Sequence, residues 1–290
     1  MTDIETKSYP NVGQSFGIVG IMIMGMILFS PLILLNKFID KEALTLICNI
    51  LAVGITFWIV YSIRKRKTNI KTFHFKINNK RTIPLVIVAM IALYFGIIGP
   101  IISLIPVPEF LKQIFIDLAK QTNVFSFISM VIVAPIFEEL IFRGIMLDGL
   151  LKKYSPKKSI LISSILFGLV HLNPWQFIGA LIIGVFIGWV YYHSKSISLA
   201  IIIHAANNLR GYIEMRLTDY DSSSMSETLV DSYGGILNFV LVITISLLVI
   251  ATCVYYLNNE FKKMKIEVQS DNELQLDGVM DNVQHFDSNV

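Results

Sequence analysis

Two adjacent glutamates and a nearby arginine stand inside a long apolar stretch of this 290-residue chain. The stretch reads APIFEELIFRG and contains Glu138, Glu139 and Arg143. Residues four apart share one face of a helix, whereas adjacent residues point about 100° apart. Glu139 is therefore predicted to pair with Arg143, in the favoured order of glutamate before arginine. Glu138 has no charge partner within its own helix, so it is the carboxylate available for chemistry.

Two later apolar stretches supply groups that could act together with Glu138. In FGLVHLNPW, Phe167 and His171 lie four apart, and in IIIHAANNLR the same spacing separates His204 and Asn208. A carboxylate beside a histidine can take a proton from water, and a second histidine with an asparagine amide can stabilise an oxyanion. Such a set could hydrolyse an amide inside a water-filled cavity, provided that the three helices are neighbours.

The same side chains leave other interpretations open. Two histidines and a carboxylate, here His171, His204 and Glu138, could bind a divalent metal such as zinc with water in the fourth position. The H-E-x-x-H spacing that would make a zinc site specific is absent. An ion pair or a histidine inside a helix bundle also serves packing alone in many proteins. Function is favoured because four polar residues that are costly to bury lie in the same half of the chain.

The elements that must position these residues are membrane helices. Hydrophobic residues make up 54% of the chain and charged residues only 16%, whereas a soluble domain carries about 25% charged residues. Cys48 and Cys253 lie in apolar stretches, which excludes a disulfide framework and a four-thiolate zinc site. A net charge of +3 with dispersed basic residues predicts no nucleic-acid partner. The composition predicts an integral membrane protein in the lipid bilayer.

A bilayer core requires about 20 apolar residues per helix, and this length predicts an all-α, polytopic bundle of about eight transmembrane helices. The predicted spans are 16–35, 43–63, 83–105, 125–151, 159–172, 175–192, 197–212 and 236–257. The very short connection after the fifth span predicts that the fifth and sixth helices are antiparallel neighbours. In the sixth span, Ala180, Gly184 and Gly188 fall four apart and form a small-residue stripe suited to close helix packing.

Charge predicts the orientation and the ends of the membrane domain. Most lysines and arginines fall in the segments on the side of the amino terminus, so both termini are predicted to be cytoplasmic. Residues 1–15 then form a cytoplasmic segment and residues 16–257 the membrane domain. Residues 258–290 are rich in acidic side chains and show no apolar period, which predicts a disordered cytoplasmic tail.

Taken together, the three motifs resemble the CPBP family of intramembrane proteases, also called the CAAX prenyl endopeptidase or Abi family. The family pattern is EExxxR on one helix, FxxxH on the next and HxxxN on a later one. All three motifs occur here in order, within residues 125–208. The resemblance implies an eight-helix bundle with the active site inside it, and a membrane-embedded protease domain over residues 16–257.

The resemblance also implies a role for each motif residue. Glu138 and His171 would activate water, and His204 with Asn208 would stabilise the oxyanion. The supporting residues would be Glu139, Arg143 and Phe167. Because family members are commonly named metalloproteases, a divalent metal such as zinc is a possible cofactor, with Glu138, His171 and His204 as its ligands.

The expected substrate is a membrane-associated protein or peptide. Eukaryotic members of the family trim prenylated proteins, whereas many bacterial members act in bacteriocin immunity, peptide-signal processing or cell-surface regulation. This phenylalanine- and isoleucine-rich chain looks like a bacterial member in a cell membrane. The alternative is a non-catalytic scaffold or immunity factor that binds a sensor kinase or a toxin receptor. A solute transporter is less favoured because the charged motif residues lie in one half only.

Overall fold

In the computed structural model, which describes residues 8–218 and 228–287, every regular element is a helix. In chain order the helices are α1 (Val12–Lys37), α2 (Lys41–Thr68), α3 (Thr82–Ser103), α4 (Glu109–Ala119), α5 (Val124–Leu150), α6 (Pro156–Leu169), α7 (Pro174–Ser194), α8 (Ile197–Leu217), α9 (Leu229–Ser232) and α10 (Ile236–Asp287).

The predicted all-α, polytopic bundle is confirmed. Within the described ranges, six helices are long and apolar enough to cross a membrane, namely α1, α2, α3, α5, α7 and the part of α10 up to Met264. The other two predicted spans are also helical, as α6 and α8. Helix α6 has only 14 residues, and the last turns of α8 carry Arg210, Glu214 and Arg216. Because α6 is short and α8 carries charges, these two helices depend more than the other six on packing within the bundle.

Helix α5, which carries both glutamates, lies in the core of the bundle. All of its residues from Leu140 to Leu147 are buried. The largest hydrophobic cluster joins its Phe142 and Met146 to residues of the first, second and sixth helices, such as Met22 and Phe167. The motif residues of α5 are therefore surrounded by other helices rather than by lipid.

Helices α3 and α5 contain wider, π-helical turns at three places, Tyr94–Ile98, Ile128–Val133 and Leu140–Leu147. Pro100 and Pro135 follow the first two of these by two residues. Proline lacks an N–H donor and its ring collides with the carbonyl four residues earlier, so a wider turn just before it relieves the collision. The third segment contains no proline and begins directly after the two glutamates, and such turns are frequent at functional sites.

Helices α6 and α7 form the predicted antiparallel pair, and glycines let them approach closely. A Cβ atom added at Gly184 would lie 3.1 Å from the Cβ of Ser164, and one at Gly188 would lie 3.0 Å from Ile160. These contacts confirm that the stripe in the sixth span serves helix packing.

Segments predicted on the same side of the membrane lie together. On the side predicted to be cytoplasmic, Arg64 approaches Asp148 to 3.7 Å, and the carbonyl of His74 accepts a 2.8 Å hydrogen bond from the backbone N–H of Ile197. On the opposite side, the Tyr212 hydroxyl donates a 2.7 Å hydrogen bond to the carbonyl of Thr122, which precedes α5. Each face is thus held together by contacts among its own helix ends and loops.

The predicted boundary between membrane domain and tail at residue 257 does not coincide with the end of a helix. Helix α10 continues from the membrane span to Asp287. Phe261 and Met264 belong to a hydrophobic cluster with residues of α3, α7 and α8, and Asn79 donates a hydrogen bond to Glu260. Residues up to 264 are therefore part of the folded body. They pack because apolar side chains recur there at helical spacing. Disorder of the remaining tail in solution stays a prediction.

Candidate active site

The four residues predicted to do chemistry line one cavity inside the bundle. This cavity has a volume of about 440 Å³, and its walls include Glu138 of α5, His171 after α6, and His204 and Asn208 of α8. The sequence required that these three elements be neighbours, and in the structure they are.

Glu139 and Arg143 form the predicted buried pair. Nη1 of Arg143 donates a 2.8 Å hydrogen bond to Oε1 of Glu139, and the side chains are 1% and 0% exposed. Nη2 of Arg143 donates to the backbone carbonyl of Gly184 at 3.1 Å. A residue with a Cβ at position 184 would lie 3.3 Å from this Nη2, so the glycine lets the guanidinium reach the backbone of α7. The arginine thus ties α5 to α7.

Glu139 also contacts His204, one of the residues predicted to do chemistry. The sequence did not predict this contact. Oε1 of Glu139 lies 2.9 Å from Nδ1 of His204, so a proton on Nδ1 is donated to the carboxylate. The other ring nitrogen, Nε2, lies 3.9 Å from Oε2 of Glu138. The second glutamate therefore orients the imidazole so that Nε2 faces the first glutamate. A carboxylate on the far nitrogen is the usual way to fix the orientation of a functional histidine.

His171 lies in a turn rather than within a helix, which corrects the predicted fifth span of 159–172. Helix α6 ends at Leu169, and Leu172 adopts a left-handed backbone with φ of 56°. The side chain of Asn173 caps the first turn of α7, so the polypeptide must reverse direction at this point. Nδ1 of His171 lies 3.0 Å from the backbone carbonyl of Phe167. An N–H that donates to this carbonyl leaves Nε2 as the acceptor nitrogen of the ring.

The ring of Phe167 contacts both histidines. Its centroid lies 5.4 Å from the ring centroids of His171 and of His204, edge to face in each case. The guanidinium carbon of Arg143 lies 4.6 Å from the same centroid. Phe167 is thus placed between the imidazoles and under the arginine, as expected of a residue that supports the site.

The amide of Asn208 is held from two sides. Its Nδ2 donates a 2.8 Å hydrogen bond to the backbone carbonyl of Met130, and its Oδ1 accepts one of 3.1 Å from Nδ2 of Asn207. An amide nitrogen carries two protons, so one donor of Asn208 remains available. Asn207, which also lines the cavity, was missed by the sequence analysis. The only signal for it was its position next to the HxxxN motif.

Comparison with known proteins agrees with the motifs. Residues 120–210 match the family model described as type II CAAX prenyl endopeptidase Rce1-like. The motif region of this chain is therefore similar to that family. The matched range contains every one of the seven motif residues, which confirms the resemblance noted from the sequence.

A curated relative comes from a bacterium. The UPF0177 protein YbdI of Lactococcus lactis subsp. lactis (strain IL1403) is 34% identical over 87 residues, which is 29% of this chain and 46% of that protein. The chain therefore spans about half the length of the curated relative that it matches. No solved structure matches the chain.

The donor set does not fit a metal ion as arranged. Among the side chains that the structure describes, no three of the types His, Cys, Asp and Glu are grouped closely enough to hold one. Glu138 and His204 approach each other to 3.9 Å, but His171 does not join them in a group of three. The predicted ligand set of Glu138, His171 and His204 is therefore not assembled, and we derive no step through a metal.

A second, larger cavity adjoins the one lined by Glu138 and the two histidines. It has a volume of about 530 Å³, is walled mainly by apolar side chains such as Phe115 and Leu118 of α4, and shares Met130, Trp175 and Gln176 with that first cavity. Helix α4 was not predicted from the sequence. Its Phe115 packs edge to face on Trp175 with centroids 5.1 Å apart.

Proposed function

We propose that this protein is an intramembrane endopeptidase that hydrolyses a peptide bond in a membrane-associated protein or peptide. The observation that carries the proposal is the meeting of Glu138, His171, His204 and Asn208 at one cavity within the bundle. The family of residues 120–210 is a protease family, which supports the same reaction class.

In the proposed first step, Glu138 and His171 activate water. The Glu138 carboxylate is not engaged by Arg143, which donates its hydrogen bonds to Glu139 and to the carbonyl of Gly184. Nε2 of His171 is the acceptor nitrogen when Nδ1 donates to the Phe167 carbonyl. A water molecule between the two groups could lose a proton to one of them as its oxygen attacks the substrate carbonyl. The same group can then return the proton to the leaving amine.

His204 and Asn208 are the proposed oxyanion donors. When both nitrogens of His204 carry protons, Nδ1–H is bound by Glu139, and Nε2–H faces Glu138 at the wall of the cavity. Asn208 contributes the amide proton that the Met130 carbonyl does not use. Donors held by other bonds before substrate arrives need no reorganisation during the reaction, which is what makes such a site effective.

We place the protein in a bacterial cell membrane with both termini in the cytoplasm. The Lactococcus relative supports a bacterial setting, and the distribution of lysine and arginine supports the orientation. The role we infer is regulatory cleavage, peptide processing or bacteriocin immunity. A scaffold that binds a sensor kinase or a toxin receptor would not require two histidines, an asparagine and a glutamate around one cavity.

The proposal is tested by comparing membrane peptides from cells that express the wild-type protein or Glu138→Gln. A matched control is Asp117→Asn, which changes an exposed carboxyl on α4 that accepts a hydrogen bond from Gln113. We expect peptides that appear with the wild type and with Asp117→Asn but not with Glu138→Gln. Identical peptide profiles in all three strains, at equal protein levels, would contradict the proposal.

A further inference from the structure

Arg210 stands in the wall of the catalytic cavity, away from the proposed reacting groups. It follows His204 by six residues on α8, and within the described ranges it is the one lysine or arginine that lines this cavity. Its side chain is only 18% exposed. A cation in such surroundings is expensive and marks a functional position unless its partners account for it.

The contacts of Arg210 engage only part of its guanidinium group. Nη1 forms an ion pair with Glu214, four residues later, in the less favoured order of arginine before glutamate. The guanidinium carbon lies 3.1 Å from the centre of the Tyr94 ring. In the described part of the chain, Nε is buried without a hydrogen-bond partner, and the hydrogen bond recorded for this side chain is the one from Nη1.

We propose that Arg210 recognises a carboxylate of the substrate, an inference that rests on the proposed protease function. Glu214 occupies Nη1, so the remaining donors, Nε and Nη2, form the edge of the guanidinium that binds a carboxylate through two parallel hydrogen bonds. Because Nε is covered by neighbouring atoms, the two-bond contact requires the side chain to shift when substrate enters. Side-chain adjustments of this kind are common on binding.

The position of Arg210 sets the distance between this carboxylate and the bond that is cleaved. Six residues along a helix correspond to about 9 Å from His204, and an extended peptide advances by about 3.3 Å per residue. The carboxylate therefore lies about three residues from the scissile bond. It could be the terminal carboxylate of the substrate or the side chain of an aspartate or glutamate.

The test uses purified full-length protein and three synthetic libraries of ten-residue peptides, each with a randomised apolar segment. The first library ends in a free carboxylate, the second in a carboxamide, and the third in a carboxamide with glutamate at the last position. Cleavage is followed by mass spectrometry for the wild type, Arg210→Gln and Arg210→Lys. The matched control is Arg216→Gln, on the same helix, because Arg216 bonds to the Thr122 carbonyl and does not line the cavity.

We expect the wild type and Arg216→Gln to cleave one of the two libraries that carry a carboxylate about 10- to 100-fold faster than the plain carboxamide library. This ratio is the one expected for a single charge-assisted hydrogen bond. Arg210→Gln should lose this preference, and Arg210→Lys should retain part of it because the charge remains. The preferred library identifies the source of the carboxylate. The ratio is taken within one preparation, so it does not depend on how much of a variant is folded.

Two results would overturn the inference while leaving the protease function intact. One is equal cleavage of all three libraries by the wild type, and the other is an unchanged preference in Arg210→Gln. A wild type that cleaves no library, and gives no peptides beyond those seen with Glu138→Gln, contradicts the protease function itself.

Discussion

Glu139 and His204 lie 65 residues apart in the sequence, yet Oε1 of the glutamate is 2.9 Å from Nδ1 of the histidine. The same oxygen accepts the hydrogen bond from Arg143. One carboxylate oxygen thus joins the arginine that ties α5 to α7 with the histidine of α8. The Glu139 side chain therefore both supports the fold and orients the proposed oxyanion donor. Stability and turnover of a Glu139 variant must be measured together.

Glu139→Gln and Arg143→Ala are expected to destabilise the protein. Each removes one partner of a buried pair and leaves the other side chain unpaired, at a cost of about 3 to 5 kcal/mol. Both variants should accumulate poorly or show a lower Tm in detergent. Glu139→Gln should also lose turnover, because an amide holds Nδ1 of His204 less strongly than a carboxylate does. A loss of turnover with an unchanged Tm would show that the pair does not support the fold.

Glu138→Gln should abolish cleavage while the protein stays abundant and monodisperse. The substitution keeps the volume of the side chain and its capacity to form hydrogen bonds, but it removes the base. Turnover and Tm measured on the same preparation check this expectation. Normal cleavage by Glu138→Gln would assign water activation to another group.

Asn208→Ala should slow turnover by about 100- to 1,000-fold, as expected for the loss of one oxyanion donor. Asn207→Ala is the matched comparison, because the hydrogen bond recorded for Asn207 goes to the Oδ1 of Asn208. We expect a smaller loss for Asn207→Ala, measured as kcat on one peptide. Equal losses in the two variants would argue that Asn208 acts by packing alone.

Activity in detergent should survive exhaustive chelation of divalent metals. The expectation follows from the geometry, in which Glu138, His171 and His204 do not form a ligand set. The measurement is turnover before and after chelation, followed by addition of zinc. A loss that zinc restores would assign these three residues to metal binding and would require them to rearrange.

The orientation can be checked with single cysteines in a protein whose Cys48 and Cys253 are replaced by alanine. Lys76 and Lys120 are both exposed and lie on opposite sides in the predicted topology. A cysteine at position 76 should be shielded from an impermeant thiol reagent in intact cells, and one at position 120 should be labelled. The reverse labelling pattern would mean that the protein has the opposite orientation in the membrane.

Much of the fold was predictable, because long apolar stretches and charged loops report directly on membrane helices. The four-residue spacing of Glu139 and Arg143 predicted their contact, which is local to one helix. The contact of Glu139 with His204 was not predictable, because it depends on how α5 and α8 pack, and no spacing encodes that. Arg210 was missed as a cavity residue for a related reason. Its place in the cavity wall depends on how α8 packs against the other helices.

The amphipathic helix α4 and the position of His171 were missed for different reasons. Residues 109–119 are too short and too polar for a scan that searches for spans. His171 looked like a residue inside a helix because the apolar stretch continues to Leu172. The backbone reverses there because Asn173 and Pro174 begin the next helix, and helices tend to end before such a pair.

Because the apolar cavity beside α4 shares Met130, Trp175 and Gln176 with the proposed catalytic cavity, the two form adjoining halves of one target for inhibitor design. An apolar fragment bound near Phe115 and a carboxylate-bearing fragment bound at Arg210 could be joined across Trp175. A linker of matching length makes the second binding event intramolecular, so the joined compound would bind more tightly than either fragment. Selectivity over membrane proteases would then come from the side chains of α4 rather than from the proposed catalytic residues.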